Sequence, residues 1–303
     1  MKYVWSYGGG FIIIAAVLWG LDGILRRSLF SLPPITIVFY EHLIGAIILL
    51  PFFIYTWKKG EKLTKKEWSA ISLVALLSGV LGTLWFTTAL AKVNFISFSV
   101  VFLLQKLQPI FAILAGVMLL KEKVDRRYFG WAFLALAAAY FVTFKGGIVN
   151  FGDGSGTVIA ALFAFGAAFA WGTSTAFSRF SLLRHSHTFI TGLRFFLTVP
   201  IALLFVFFLD QIPSLGAPSG GQYVRLGIIA LSTGMVALWL YYRGLKHTEA
   251  KISTILELVF PLTAVCIDIF LYHTTLAASQ YVAAAVLLFA VYRVAKLHTP
   301  ASQ

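Results

Sequence analysis

Long apolar runs, each close to the length of a membrane-crossing helix, alternate along this chain with short clusters of charged, turn-forming and glycine residues. A helix that crosses a bilayer needs about 20 mostly apolar residues. The runs predict five such helices in the first half, centred near Leu18, Ile47, Leu77, Phe111 and Leu136, and five in the second, centred near Phe169, Phe205, Met235, Val265 and Val286. Between the halves, KGGIVNFGDGSG reads as a loop from its glycines and asparagine. The opening MKYVWSYGGGFIIIAAVLWG has the apolar core of a signal peptide. Its run continues without a clear small-residue cleavage site, so it is expected to be a first permanent span. Ten spans use nearly all of the 303 residues and leave no room for a soluble catalytic domain. The expected class is therefore an all-α integral membrane protein.

Composition agrees, with 60% hydrophobic and 12% charged residues, where a soluble domain carries about 25% charge. The single cysteine, Cys266, excludes an internal disulfide and gives no metal-ligand cluster, so no metal, redox or other cofactor is expected. The 24 Lys and Arg against 11 Asp and Glu would suggest nucleic acid in a soluble protein. Their placement gives another reading. With a cytoplasmic N-terminus, 17 basic residues fall in cytoplasmic connections and 5 outside, the bias that orients membrane proteins. Both termini are expected inside, in a bacterial or archaeal cytoplasmic membrane, with no nucleic-acid partner.

Overlaying the halves aligns AAVLWGLDGILRR with AAFAWGTSTAFSR, placing Trp19-Gly20 on Trp171-Gly172. The spacing persists: His42 lies 23 residues after Trp19 as Arg194 does after Trp171, and Pro109 and Pro261 each lie 90 after their tryptophan. Between the third and fourth spans the register needs a compensated shift of three residues, since Leu90 precedes Pro109 by 19 and Leu245 precedes Pro261 by 16. Either Trp-Gly pair alone would be ordinary helix packing; the shared spacing points to a duplication, 1–146 and 147–303. A repeat of five spans is odd, so the second copy must lie inverted, as in carriers with a midplane site at the repeat interface.

These marks, with ALAKVNFISFSVVFLLQKLQPIFAILAGVMLLKEKV and GLKHTEAKISTILELVFPLTAVCIDIFLY, resemble the EamA-type transporters of the drug/metabolite transporter superfamily over almost the whole chain. In that family the fourth span ends in Gly-Glu. Here Glu122 fits the acid, 13 residues after Pro109, while Lys121 replaces the glycine and Thr274 stands at the second half's acidic position. The resemblance implies ten helices in inverted repeats and carriage of small metabolites, often outward.

Ionisable groups inside spans are costly and so are candidates for function. Lys106 lies about 16 Å into the fourth span at 1.5 Å per residue, near the midplane, between Gln105 and Gln108 and before Pro109. It lines a pathway or forms a buried ion pair. Glu257 stands four residues before Pro261, as Gln105 does before Pro109, and would carry a proton, attract a cation or pair with Lys106 or Arg194. Asp22 has a structural account in Arg26 four residues on. His42 and Arg194 are expected to mark the two ends of one pathway, although a lone histidine in an apolar helix is more often a packing residue. Asp268 is expected near the outer end of the ninth span. Of the many aromatics, Trp19, Trp171, Trp85 and Trp239 are candidates to line a cavity through stacking and cation–π contacts.

The expected function is secondary transport, most often export, of small organic solutes such as amino acids, by alternating access around Lys106, Gln105 and Glu257, with proton coupling open. A sugar-phosphate or nucleotide-sugar exchanger is the alternative. A membrane-embedded enzyme is disfavoured, since H-E-x-x-H, G-x-S-x-G and P-loop patterns are all missing from the chain. Oligomeric state is open, because small-residue surfaces such as Ala132 to Ala139 pack helices within or between protomers.

Overall fold

The computed structural model describes residues 7–92, 105, 107–124, 126–143, 145–148, 155–260, 262–263, 266, 270 and 277–296, and all regular structure in them is helical. Lys106, Pro261, Asp268 and Thr274 lie outside the described residues.

The helices follow the apolar runs: α1 is Tyr7–Arg27, α2 Pro34–Lys58, α3 Lys65–Lys92, α4 Gln108–Leu120 and α5 Arg126–Thr143. After the break come α6, Ser155–Leu182; α7, His187–Phe208; α8, Gly220–Leu245; α9, Ala250–Leu256, which tightens into a 3₁₀ turn at Glu257–Val259; and α10, Ala278–Lys296. By length and composition α2, α3, α7 and α8 can each cross a membrane unaided, and shorter apolar stretches occupy Gly8–Asp22, α4 and Ala278–Val294. Large apolar side chains face outward, among them Leu162, Leu204, Phe207, Phe208 and Val224. Water would make such a surface an association hazard; lipid makes it the natural exterior. The chain is a multi-pass membrane protein.

Local chemistry explains several helix boundaries. Pro34 opens α2 where its missing N–H costs nothing. α3 and α8 each begin with a reciprocal cap, Thr64 with Glu67 and Ser219 with Gln222, in which side chain and backbone satisfy each other's free N–H groups. Ser219 lies 155 residues after Thr64, the offset that also separates Leu90 from Leu245. Each helix then loosens into a π turn, at Ala75–Gly82 and at Ala230–Gly234, starting 155 residues apart. Such turns displace carbonyls from the α ladder and concentrate at functional sites.

α1 packs on α8, α3 and α4 on α6, α2 on α7, and α5 on α10. Close approach depends on the Trp-Gly glycines: a Cβ on Gly20 would lie 2.6 Å from Thr263, and one on Gly172 would lie 2.5 Å from the Gln108 carbonyl oxygen and 2.8 Å from Phe111 Cβ. Thr263 lies 152 residues after Phe111, as Gly172 does after Gly20. Thus the α1 glycine meets the second half and the α6 glycine meets the first.

The two ends of the bundle are fastened differently. Where α2 begins, Thr36 meets Ser214 at 2.5 Å and Tyr40 donates to the Leu215 carbonyl at 2.5 Å. At the opposite end Glu122 accepts from Arg179 at 2.7 Å and from the backbone N–H groups of Ala250 and Lys251 at 2.8 and 3.3 Å. Glu122 reaches them because Lys121 ends α4 in the left-handed conformation, φ 54°. Glycine is the residue such a position ordinarily takes, which accounts physically for the family's Gly-Glu and makes Lys121 a strained departure from it.

Candidate functional site

A cavity of about 210 Å³ lies among α1, α2, α3, α4, α6, α7, α8 and the α9 segment. Two tryptophan–aromatic pairs form much of its apolar wall. Trp19 of α1 meets Tyr241 of α8 with ring centroids 5.1 Å apart and planes at 55°. Trp171 of α6 meets Phe86 of α3 at 5.3 Å and 58°. The tryptophans are 152 residues apart and their partners 155, so the pairs match across the halves in sequence and in geometry.

The π turns supply polar groups to this wall. Ser78, in the α3 turn, accepts from Arg194 Nη2 through its hydroxyl at 2.7 Å, while its carbonyl accepts from the Trp171 indole at 3.3 Å and the Thr83 hydroxyl at 3.1 Å. Thr233, in the α8 turn, donates to Asp22 at 2.5 Å. Neither turn has a hydropathy signature. The signal available in the sequence was the Ser78-Gly79 and Thr233-Gly234 pair at the 155-residue offset.

Arg194 reaches the cavity from α7. Its Nη1 donates to Tyr242 at 3.0 Å, Tyr242 shares a 2.8 Å hydrogen bond with Ser178, and Arg194 Nε is buried without a partner among the described residues. Glu257 enters from the opposite side. One of its oxygens accepts from Tyr241 at 2.8 Å and Ser253 at 3.3 Å, and the other from Gln108 at 3.1 Å. Among the described residues this carboxyl is held by neutral donors, which offers a binding group to any solute that brings its own N–H.

Of the residues singled out in the sequence, Trp19, Trp171, Gln105, Glu257, His42 and Arg194 line this one cavity. His42 and Arg194 therefore share a chamber. His42 hydrogen-bonds the Val38 carbonyl at 2.8 Å and rests on Phe195 at 5.0 Å. Trp85 and Trp239 are not among the lining residues. Trp85 packs over Gly166 of α6, and Trp239 donates to Thr188 at 3.0 Å beside His187. Sequence reasoning passed over Ser78 and Thr233, set Tyr241 and Tyr242 aside as packing, and saw Asp22 with Arg26 but not their link to Glu41; all of these line the cavity.

The profile of the EamA-like transporter family matches this chain twice, over residues 6–144 and 158–295. The chain belongs to the EamA-like transporter family. Among its relatives is the riboflavin transporter ImpX of Fusobacterium nucleatum, 37% identical over 293 residues that span 96% of this chain and 98% of that protein. An uncharacterized transporter, YojE of Bacillus subtilis, is 26% identical over 88% of this chain and 86% of its own length. A crystal structure superposes with a TM-score of 0.75 at 16% identity, covering 96% of both chains, a likeness of fold. This EamA-like protein is thus a transporter with a small-molecule substrate and a membrane setting.

Proposed function

We propose that this EamA-like protein is a secondary carrier for a flat heteroaromatic solute of the riboflavin type. The observation that carries the reading is the matched pair of tryptophan–aromatic contacts, Trp19 with Tyr241 and Trp171 with Phe86, flanked by Gln108, Glu257 and Arg194. Aromatic faces favour a planar ring system, and the carboxylate, amide and guanidinium match the imide and carbonyl edge of such a ring. The relative named as a riboflavin transporter supports the same class. Amino acids, the substrate class first expected, have little use for two aromatic pairs. A sugar-phosphate exchanger is disfavoured because, among the described lining residues, Arg26 is neutralised by Asp22 and Glu41, which leaves Arg194 alone against a dianionic phosphate.

Architecture supplies the mechanism in this reading. Ten spans form two inverted repeats, 1–146 and 147–303, with both termini at the cytoplasmic side of a bacterial or archaeal membrane. The basic residues of the Glu122 end, from Lys58 to Lys66, Lys121 to Arg127 and Arg243 to Lys251, support that orientation. The cavity is smaller than the roughly 300–1,000 Å³ of drug-sized ligand sites, so the repeats rock apart to admit a three-ring solute and close over it. Gln105 faces the solute ahead of α4.

Counterflow in proteoliposomes tests this. Saturable exchange of labelled riboflavin, outcompeting amino acids and sugar phosphates and reduced at least tenfold by Trp171→Ala, Glu257→Gln or Lys106→Ala, is the expected result. Exchange of amino acids with no flavin competition would refute the substrate class, and flavin exchange that survived all three substitutions would refute the site. Net efflux from flavin-loaded cells reads the outward direction.

A further inference from the structure

Asp22 has its α1 partner, but Arg26 is not its alone. The guanidinium donates through Nε to Asp22 Oδ2 and through Nη2 to Glu41 Oε2 of α2 at 2.6 Å. Asp22 Oδ1 accepts from Thr233 in the α8 π turn at 2.5 Å. Arg26 and Glu41 are 5% and 7% exposed in their side chains and Asp22 13%, and all three line the cavity. Arg26 Nη1 is buried and has no partner among the described residues. The cluster therefore holds two carboxyl groups and one guanidinium out of water, with one donor unsatisfied. Charge in such a place is retained only when it is balanced. One proton would balance it.

We propose that the Asp22–Arg26–Glu41 cluster is the site at which the carrier takes up and releases its coupling proton. The step forms one O–H bond on a carboxylate oxygen, taken from hydronium at the open side of the membrane with water as the product, and breaks it at the other side. No other covalent change is needed. Position explains how the proton is felt. Asp22 and Glu41 belong to the first half and Thr233 to the second, so the cluster lies on the seam where α1 packs against α8. Its charge decides whether the site tolerates closure or demands water, which biases the two states of the seam.

Other charged or titratable groups lie on the elements packed around this cluster. His42 follows Glu41 on α2; Arg194 on α7 is held by Ser78 and Tyr242; Tyr241 on α8 and Glu257 beyond α9 hydrogen-bond each other. Arg225 of α8 holds the Ser28 carbonyl at 3.1 Å, and Tyr40 of α2 holds that of Leu215. Each of these has its own partner, and among the described lining residues Glu257 and His42 are the competing proton acceptors in the chamber.

The proposal rests on the carrier reading, so two measurements separate the two. Infrared spectra of the reconstituted full-length protein, recorded across pH without solute, should show a neutral carboxylic C=O band that titrates and disappears in Asp22→Asn or Glu41→Gln. In proteoliposomes, a one-unit outward proton gradient, acidic inside, should support about tenfold riboflavin accumulation for one proton exchanged per solute, the exchange that drives efflux from cells, since one pH unit is a factor of ten. The ratio of gradient-driven to gradient-free uptake should fall to one in Asp22→Asn. A wild-type spectrum with no titrating band, a band lost only in Glu257→Gln, or a gradient ratio retained in both cluster variants would overturn the proposal. Failure to carry riboflavin at all would refute the substrate reading, and the infrared result would still decide the proton site.

Discussion

Replacing Glu122 with alanine removes three hydrogen bonds at once and leaves the buried Arg179 facing apolar surroundings. Glu122 is 7% exposed, pairs with Arg179 at 2.7 Å, and caps the Ala250 and Lys251 N–H groups at 2.8 and 3.3 Å. Deleting one member of a buried pair costs about 3–5 kcal/mol, chiefly because the survivor is stranded, and the start of α9 is buried, so its two freed N–H groups recover little from water. The expected net is about 4 kcal/mol. The companion Arg179→Met should cost less than Glu122→Ala, and the double variant should be more stable than Glu122→Ala alone, because an apolar side chain then replaces the stranded charge. Reversible unfolding in mixed micelles with increasing SDS measures all four proteins. A Glu122→Ala cost below about 1 kcal/mol, the size of an exposed ion pair, or strictly additive effects would refute the reasoning.

Lys121→Gly relieves the left-handed backbone at φ 54° and should stabilise by about 1 kcal/mol in the same titration, whereas Lys121→Ala should give nothing. Gly172→Ala drives a methyl to 2.5 Å from the Gln108 carbonyl and should abolish exchange in proteoliposomes, while Gly10→Ala, whose Cβ meets nothing within 4 Å, should leave it intact. Glu61, between α2 and α3, is desolvated, which opposes its charge, but hydrogen bonds from His185 at 2.5 Å and the Ser186 N–H at 3.1 Å prevail and hold its carboxyl below the usual range. Its contribution is therefore complete above the unfolded carboxyl range and drains away as pH falls through the lower folded value; Glu61→Gln should flatten the acid limb of the stability profile below the ordinary carboxylate range.

Helix placement was legible because lipid demands one simple pattern, a long apolar run closed by charge, and α2, α3, α7 and α8 display it in full. The equivalence of Trp19 and Trp171 was legible from spacing alone, and the structure sets both on the cavity. Facing was harder. Trp85 and Trp171 look alike in sequence, yet Trp85 packs over Gly166 while Trp171 meets Phe86 across the cavity wall, and only the rotation of α3 relative to α6 decides this. Arg26 looked like the private partner of Asp22 because the i, i+4 rule sees one helix at a time; its bond to Glu41 depends on how α1 lies against α2. A π turn changes helical phase without changing hydropathy, so Ser78 and Thr233 were hidden until the backbone was traced. Lys106, the most conspicuous intramembrane cation in the sequence, lies outside the described residues.

The exchange of partners between the halves, with the Gly20 face of α1 seated at Thr263 and the Gly172 face of α6 at Phe111, bears on biosynthesis. A ribosome that has delivered only the first half has released α1 without the surface it packs on, and its tryptophan and glycine must wait in lipid for residues still to be translated. Neither half can complete its own interior. Two genes each encoding one half should therefore restore the protein when expressed together, and either alone should yield a chain that membrane quality control removes.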